Sequence, residues 1–317
     1  MNIGVIMKLY IKLFMKVITV LFLILINISC DNKYESKNPD DVETINSGKL
    51  DIMIDNELNP LMDTTLEFYK SFYPKVRLTS NYSNSREVMA NLFNGKKRAV
   101  IIARDYLKDE DSILTAYKIE KHLKMKIAND ALVFFVNNNS KYDTLSKSNF
   151  EDYFKNSKTK FSQASGIDNN PEFFVVENNS STFQNFKSLT LNNQKNVRRL
   201  NYEQNIEEIK SKVQTNDNYI GLGYLSQLSN DPRFKLLKIG YLDTNNVYIR
   251  PKIVHQSNLL RGYYPYKVPI YVYLLENRQN LPFWFSSFLA KETKVQKYFL
   301  DKGIVPTFAA IKLKFDE

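Results

Sequence analysis

From Lys49 onward, short apolar runs alternate with stretches whose apolar residues recur at helical spacing, and that order leaves few folds open. "KLDIMID" (Lys49 to Asp55) reads as a first strand, and "LNPLMDTTLEFYKSFYP" then places Leu58, Leu61, Leu66, Tyr69 and Phe72 on roughly one helical face. Strand "KVRLTSNY", helix "SREVMANLFNG" closed by Gly95, and strand "RAVIIAR" from Arg98 to Arg104 complete a βαβαβ unit. After a long strand, "DALVFFVN" (Asp130 to Asn137), the pattern restarts with helix "SKSNFEDYFKN", strand "PEFFVVE", helix "NIEEIKSKVQ" and strand "YIGLGYL". Such units imply parallel strands, with ligand-binding loops beyond their carboxyl ends. Two of them predict an α/β chain of two lobes facing a shared crevice.

One of those loops is "ENNSSTFQNF" (Glu177 to Phe186), which joins an apolar strand to a helix. The first N–H groups of a helix lack partners within it, and the macrodipole adds about half a positive charge there, so the end can cradle an anion. Ser180, Ser181 and Thr182 add hydroxyl donors without adding charge. The plainer alternative is that one of them is an N-cap. Asn178 and Asn179 also begin two glycosylation sequons, which the bacterial export signal described next argues against.

The amino terminus holds Lys8, Lys12 and Lys16 with no acid, then the apolar run Val17 to Ile28, then "NISC" ending at Cys30, the only cysteine. The run is too short to span a bilayer but suits the core of a secretory signal. With Ser29 before Cys30, it resembles the lipobox of bacterial lipoproteins, although Asn27 departs from the usual apolar residue. That resemblance implies a signal peptide over 1–29, an acylated Cys30, a tether over 30–47, and a periplasmic, membrane-anchored location. The formal charge of +10 falls to +7 once the three leader lysines are removed. A basic surface suits nucleic acid, an acidic membrane or a small anion, and export sets nucleic acid aside. An enzyme is poorly supported. His122 and His255 are the only histidines, neither has a metal-ligand spacing, and no nucleophile elbow or phosphate-binding glycine loop is present, so neither metal nor cofactor is expected.

Taken in order, "SGKLDIMIDNELNPLMDTTLEFYKSFYP", "RAVIIARD", "NDALVFFVN", "NNSSTFQNF", "YIGLGYLS", "LLRGYYPYKVPIYVYL" and "VQKYFLDKGIVP" resemble the periplasmic phosphate-binding proteins of ABC importers, in particular a lipoprotein branch found in Bacteroidetes. The resemblance runs from about Gly48 to about Ala310. It implies a type II two-lobed binding fold, with lobe one over 48–127 and 264–317, lobe two over 128–263, and a ligand cleft between them. It implies a monomer that binds phosphate and serves an ABC permease. In the family's phosphate loop an arginine precedes Ser-Gly-Thr. Here Ser180 and Thr182 keep their places, Ser181 replaces the glycine, and Val176 stands where the arginine would be. By the same resemblance Arg104 would supply the missing guanidinium and Asp105 the acceptor that chooses a protonated phosphate over sulfate. Asn56 and Ser83 would complete the ligand set, Ser85 being an alternative two residues on, while Glu57 reads as an acid at the start of its own helix. The competing expectation is a binding-fold lipoprotein that docks on an envelope complex and feeds no importer.

Overall fold

The computed structural model describes residues 43–155, 171–191 and 199–308. The leader, Cys30 and the tether as far as residue 42 lie outside the described residues. Strand β1 (Gly48–Asp55) pairs in parallel with β2 (Val76–Ser83) on one side and β3 (Ala99–Ile102) on the other. Leu50, Ile52 and Ile54 enter the main core, while Met53 joins Val100 and Ile102 in a second cluster on the opposite face. The central strands are therefore buried on both sides, which is why they read as continuous apolar runs.

Helix α1 (Asn59–Phe72) buries Leu61, Met62, Thr65, Leu66 and Tyr69. Phe72, expected on that face, is 49% exposed, because the helix ends there and Tyr73 turns back to pack on Tyr69 at 4.9 Å. Helices α2 (Ser85–Phe93) and α3 (Lys108–Ala116) flank β3 in the chain.

Strand β4 (Leu123–Asn137) links the two halves of the fold. Up to Ala131 it pairs antiparallel with β12 (Lys267–Leu274), and from Leu132 to Phe135 it pairs with β8 (Tyr219–Tyr224). Beyond β8 lie β6 (Glu172–Val176) and β7 (Leu200–Glu203), both parallel to their neighbours. The strand order is β2-β1-β3-β12-β4-β8-β6-β7. The second half also contains β5 (Thr144–Ser146), α4 (Lys147–Lys155), α5 (Ser181–Thr190), α6 (Ile206–Thr215), α7 (Leu225–Leu228), β9 (Phe234–Leu236), β10 (Lys238–Leu242), β11 (Tyr248–Lys252) and α8 (Gln256–Leu260). The chain closes with α9 (Leu281–Lys291), α10 (Thr293–Asp301) and β13 (Val305–Pro306), the last pairing with β4.

One detail fixes how the halves meet. The outgoing and returning segments are hydrogen-bonded to each other at Leu132, whose N–H donates to the Tyr266 carbonyl at 3.0 Å and whose carbonyl accepts from the Tyr264 hydroxyl at 2.9 Å. Just past that point the Phe135 ring lies so close over Gly221 that a Cβ there would sit 2.3 Å from a ring carbon. Phe134, Phe150, Phe154, Phe173 and Phe186 fill the core of the second half with tilted, stacked and edge-on contacts. These rings are structural.

Candidate functional site

The carboxyl ends of β1, β2, β3, β6 and β8 converge on the start of α5, as the βα order requires. Ser180 is the N-cap of α5: its hydroxyl accepts from the Phe183 N–H at 3.1 Å and donates to the Val176 carbonyl at 3.2 Å. The next free donor, the Thr182 N–H, is taken from across the cleft, where Glu57 Oε1 accepts it at 3.3 Å. Glu57 leaves the short 3-10 turn at Asn56–Leu58 directly after β1, so a carboxyl group from the first half rests on a helix end of the second. The sequence places that acid on its own helix; the fold buries it, 6% exposed, on another.

Around this contact the cleft is closed and dry, with Asp55, Ser181 and Thr182 each 0% exposed. The Asp55 carboxylate accepts from the Glu57 and Ala103 N–H groups at 3.3 and 3.4 Å. The Tyr224 hydroxyl donates to Ser181 Oγ at 2.8 Å. Asn185, one turn after Ser181 on the same helical face, donates through Nδ2 to the Ala103 carbonyl at 2.6 Å and to Tyr224 at 2.9 Å. Ser85 reaches over from α2 to donate to the Asn179 carbonyl at 2.9 Å, and Gln227 Nε2 donates to the Glu57 carbonyl at 2.8 Å.

Burial, with the nearby Asp55 charge second, pushes Glu57 well above the usual carboxylate range. Burial raises Asp55 as well, against the opposing bonds from the Glu57 and Ala103 N–H groups. Two buried acids in one dry cleft cannot both hold a full charge cheaply, so the site is less negative than its residue types suggest.

The other residues named from the sequence are distributed differently. Arg104 is 1% exposed and reaches the cleft wall, but all five of its N–H donors are committed. Glu110 takes two of them at 2.7 Å, the Ser85 carbonyl and hydroxyl take two at 2.9 and 3.1 Å, and the Asp105 carbonyl takes the fifth at 3.0 Å. Arg104 therefore holds Ser85 in place and has no donor left to offer. Asp105, one residue on, points elsewhere: Lys124 Nζ binds both its oxygens and the Tyr273 hydroxyl donates to it at 2.8 Å. Against the cost of partial burial, those partners hold its carboxylate below the usual range. Asn56 is exposed, and the Ser83 hydroxyl is bonded to Glu87, whereas Ser85 stands in the cleft. His122 meets the Tyr106 hydroxyl at 3.0 Å and stacks on Phe93, and His255 caps α8. Among the described residues no group of three or more His, Cys, Asp or Glu side chains could hold a metal, and no helix is long and apolar enough to cross a membrane.

Sequence reasoning did not name Tyr224 or Asn185 as cleft residues, and it set Asp55 in a loop at the crevice without giving it a role. Each carried a signal, since Asp55 and Tyr224 are the last residues of buried strands and Asn185 follows Ser181 by one helical turn.

A model of the PBP superfamily domain matches residues 43–293. No curated protein matches the chain in sequence. Among solved structures it is similar to a protein from Clostridium perfringens determined with bound phosphate and described as a phosphate ABC transporter substrate-binding protein. The TM-score is 0.67 at 19% identity, over 82% of this chain and 99% of that one. An ABC-type phosphate transport receptor from Vibrio cholerae gives a TM-score of 0.63 at 17% identity, over 82% of this chain and all of that one. The regulatory domain of CcmR from Synechocystis, in complex with 2-PG, gives 0.52 at 13% identity over 77% of this chain and 96% of that one. At these identities the likeness establishes the two-lobed fold.

Proposed function

Because the chain belongs to the PBP superfamily, we propose that it is a lipid-anchored solute-binding protein of the cell envelope, one whose cleft takes an inorganic oxyanion, phosphate before others, for an ABC permease. The observation that carries this is the Thr182 N–H at the start of α5, which already holds an oxygen of a carboxyl group at the bottom of a dry cleft. The Thr182 hydroxyl beside it is a second neutral donor, without a partner of its own, and the bonded network of Ser181, Tyr224 and Asn185 holds that helix end in place, an arrangement that can take an anion without a free cation. Asp55 adds acceptor oxygens, and an acceptor facing an anion favours one that bears a proton, hence phosphate over sulfate. The Clostridium perfringens and Vibrio cholerae proteins, both described in terms of phosphate transport, support the choice.

Titration calorimetry on purified, ligand-stripped protein tests it. Phosphate should give saturable one-to-one heat, and Thr182→Val should weaken it by about two- to tenfold, the worth of one neutral hydrogen bond. Asp55→Asn should erode the preference over sulfate. No saturable heat with phosphate, sulfate or molybdate, in the wild type and in Glu57→Ala alike, refutes the oxyanion reading. A second reading then stands, a docking subunit on an envelope complex. It is favoured by one observation, the full commitment of Arg104 to groups of its own lobe.

A further inference from the structure

Glu57 occupies a position that its own segment does not require. A carboxylate placed to cap or charge a helix start normally serves the helix it begins. Here Asp55 already caps the 3-10 turn through the Glu57 N–H, and the Glu57 side chain reaches a helix start 125 residues away in sequence. The fit there is incomplete. Glu57 Oε2 is buried with no hydrogen-bond partner, and so is Thr182 Oγ1, whose residue is 0% exposed at the same helix end. A carboxyl group has two oxygens in one plane, and it leaves one donor of the cleft and one of its own acceptors unmatched. Buried polar atoms without partners each cost about 1–3 kcal/mol, so native structures hold few of them. A tetrahedral oxyanion has four oxygens in four directions. In the place of the Glu57 carboxyl it would accept from both the Thr182 N–H and the Thr182 hydroxyl, while Glu57, next to the exposed Asn56, returned to water.

We infer that Glu57 is the cleft's own tethered occupant, seated where a free oxyanion binds, so that the anion enters only by displacing it. The inference rests on the oxyanion reading and goes beyond it by making Glu57 the residue that sets affinity. Self-occupancy also accounts for lobes that are already drawn together by the Glu57, Asn185 and Ser85 contacts.

The size of the effect follows from population arithmetic. If the seat is vacated in 1–10% of molecules, the measured affinity is weaker than the intrinsic one by about tenfold to a hundredfold. Removing the occupant restores that factor. The full chain, purified in detergent and stripped of anions, would be titrated with inorganic phosphate as wild type, Glu57→Ala and Glu57→Gln. Glu57→Ala should bind at least about tenfold more tightly than wild type. Glu57→Gln, which keeps the shape and guards against misfolding, should stay near wild type, because a buried neutral carboxyl and an amide offer the Thr182 N–H the same carbonyl oxygen. Small-angle scattering adds a readout independent of affinity: without anion, Glu57→Ala should have a larger radius of gyration than wild type, and phosphate should reduce it. If wild type and both variants bind phosphate equally, or Glu57→Ala binds more weakly, Glu57 is no competitor and the inference fails while the oxyanion reading survives. Silence from all three proteins overturns both.

Discussion

The wiring of Arg104 is open to a decisive measurement. The guanidinium and the Glu110 carboxylate form a bidentate pair with both bonds at 2.7 Å and side-chain exposures of 1% and 6%, so neither charge has water to fall back on. Substituting one partner leaves the other buried without its main counter-charge, a loss of up to about 3–5 kcal/mol. Glu110→Leu strands the guanidinium and also removes the acceptor for the Leu107 N–H, which donates to Glu110 Oε2 at 2.9 Å at the start of α3. Arg104→Leu leaves the carboxylate only the Leu107 N–H and the longer contact to Arg86 at 3.5 Å, and it releases Ser85, hence the Asn179 contact across the cleft. The double substitution removes both charges together, and apolar replacement of a whole buried pair is often near neutral. The double variant should therefore lose less than the two singles combined, with a coupling of about 2–3 kcal/mol. Urea denaturation followed by the fluorescence of Trp284, the only tryptophan, gives each free energy from the midpoint and slope. Singles that each lose less than about 1 kcal/mol, or losses that simply add in the double variant, would show that the pair is not a buried, coupled unit.

Other consequences can be checked separately. Asp130 is buried with one oxygen unpartnered, and burial raises its pKa to about 6. A carboxyl group raised on folding contributes stability that is present at low pH and lost as pH climbs through the folded value, here about 3 kcal/mol between about pH 4 and 7. Asp130→Asn should flatten the urea-midpoint profile over that range, and an unchanged profile would mean that Asp130 does not titrate there. Gly221→Ala forces a methyl into the Phe135 ring and should cost about 1–3 kcal/mol in the same assay, whereas a neutral outcome would mean the ring moves freely. Metabolic labelling with a lipid analogue should mark the wild type and not Cys30→Ser; equal labelling removes the anchor from the proposed function.

Much of the fold was legible because its strands are buried on both faces. "AVII" and "FFVV" could be read as central strands without knowing their partners, and the residues beyond them had to lie near the crevice. Ser181 and Thr182 were reached in that way. Direction was harder to read than position. Arg104 and Asp105 are adjacent, yet the first turns inward to Glu110 and the second outward to Lys124, a choice settled by where α3 and β4 pack. Glu57 failed for a related reason, since a local rule assigned it to its own helix and a contact with residue 182 overrode the rule. Strands such as β7, β9 and β11 escaped notice because they are short and partly exposed, with no alternation long enough to register.

The place of β12 has a consequence for the order in which the molecule can assemble. It lies between β3 and β4, although more than 160 residues separate it from β3. Until it arrives, β3 presents an unpaired hydrogen-bonding edge, whereas β6, β8 and the far half of β4 come from one uninterrupted stretch of chain. Contacts of high sequence separation form late, and an amino-terminal segment emerges first during synthesis. The first segment to be made is thus the last to complete its sheet, so the second half of the fold should gain amide protection ahead of β1 and β3 in pulsed hydrogen exchange. Through that interval the bare β3 edge is the part of the nascent chain most in need of a holding chaperone.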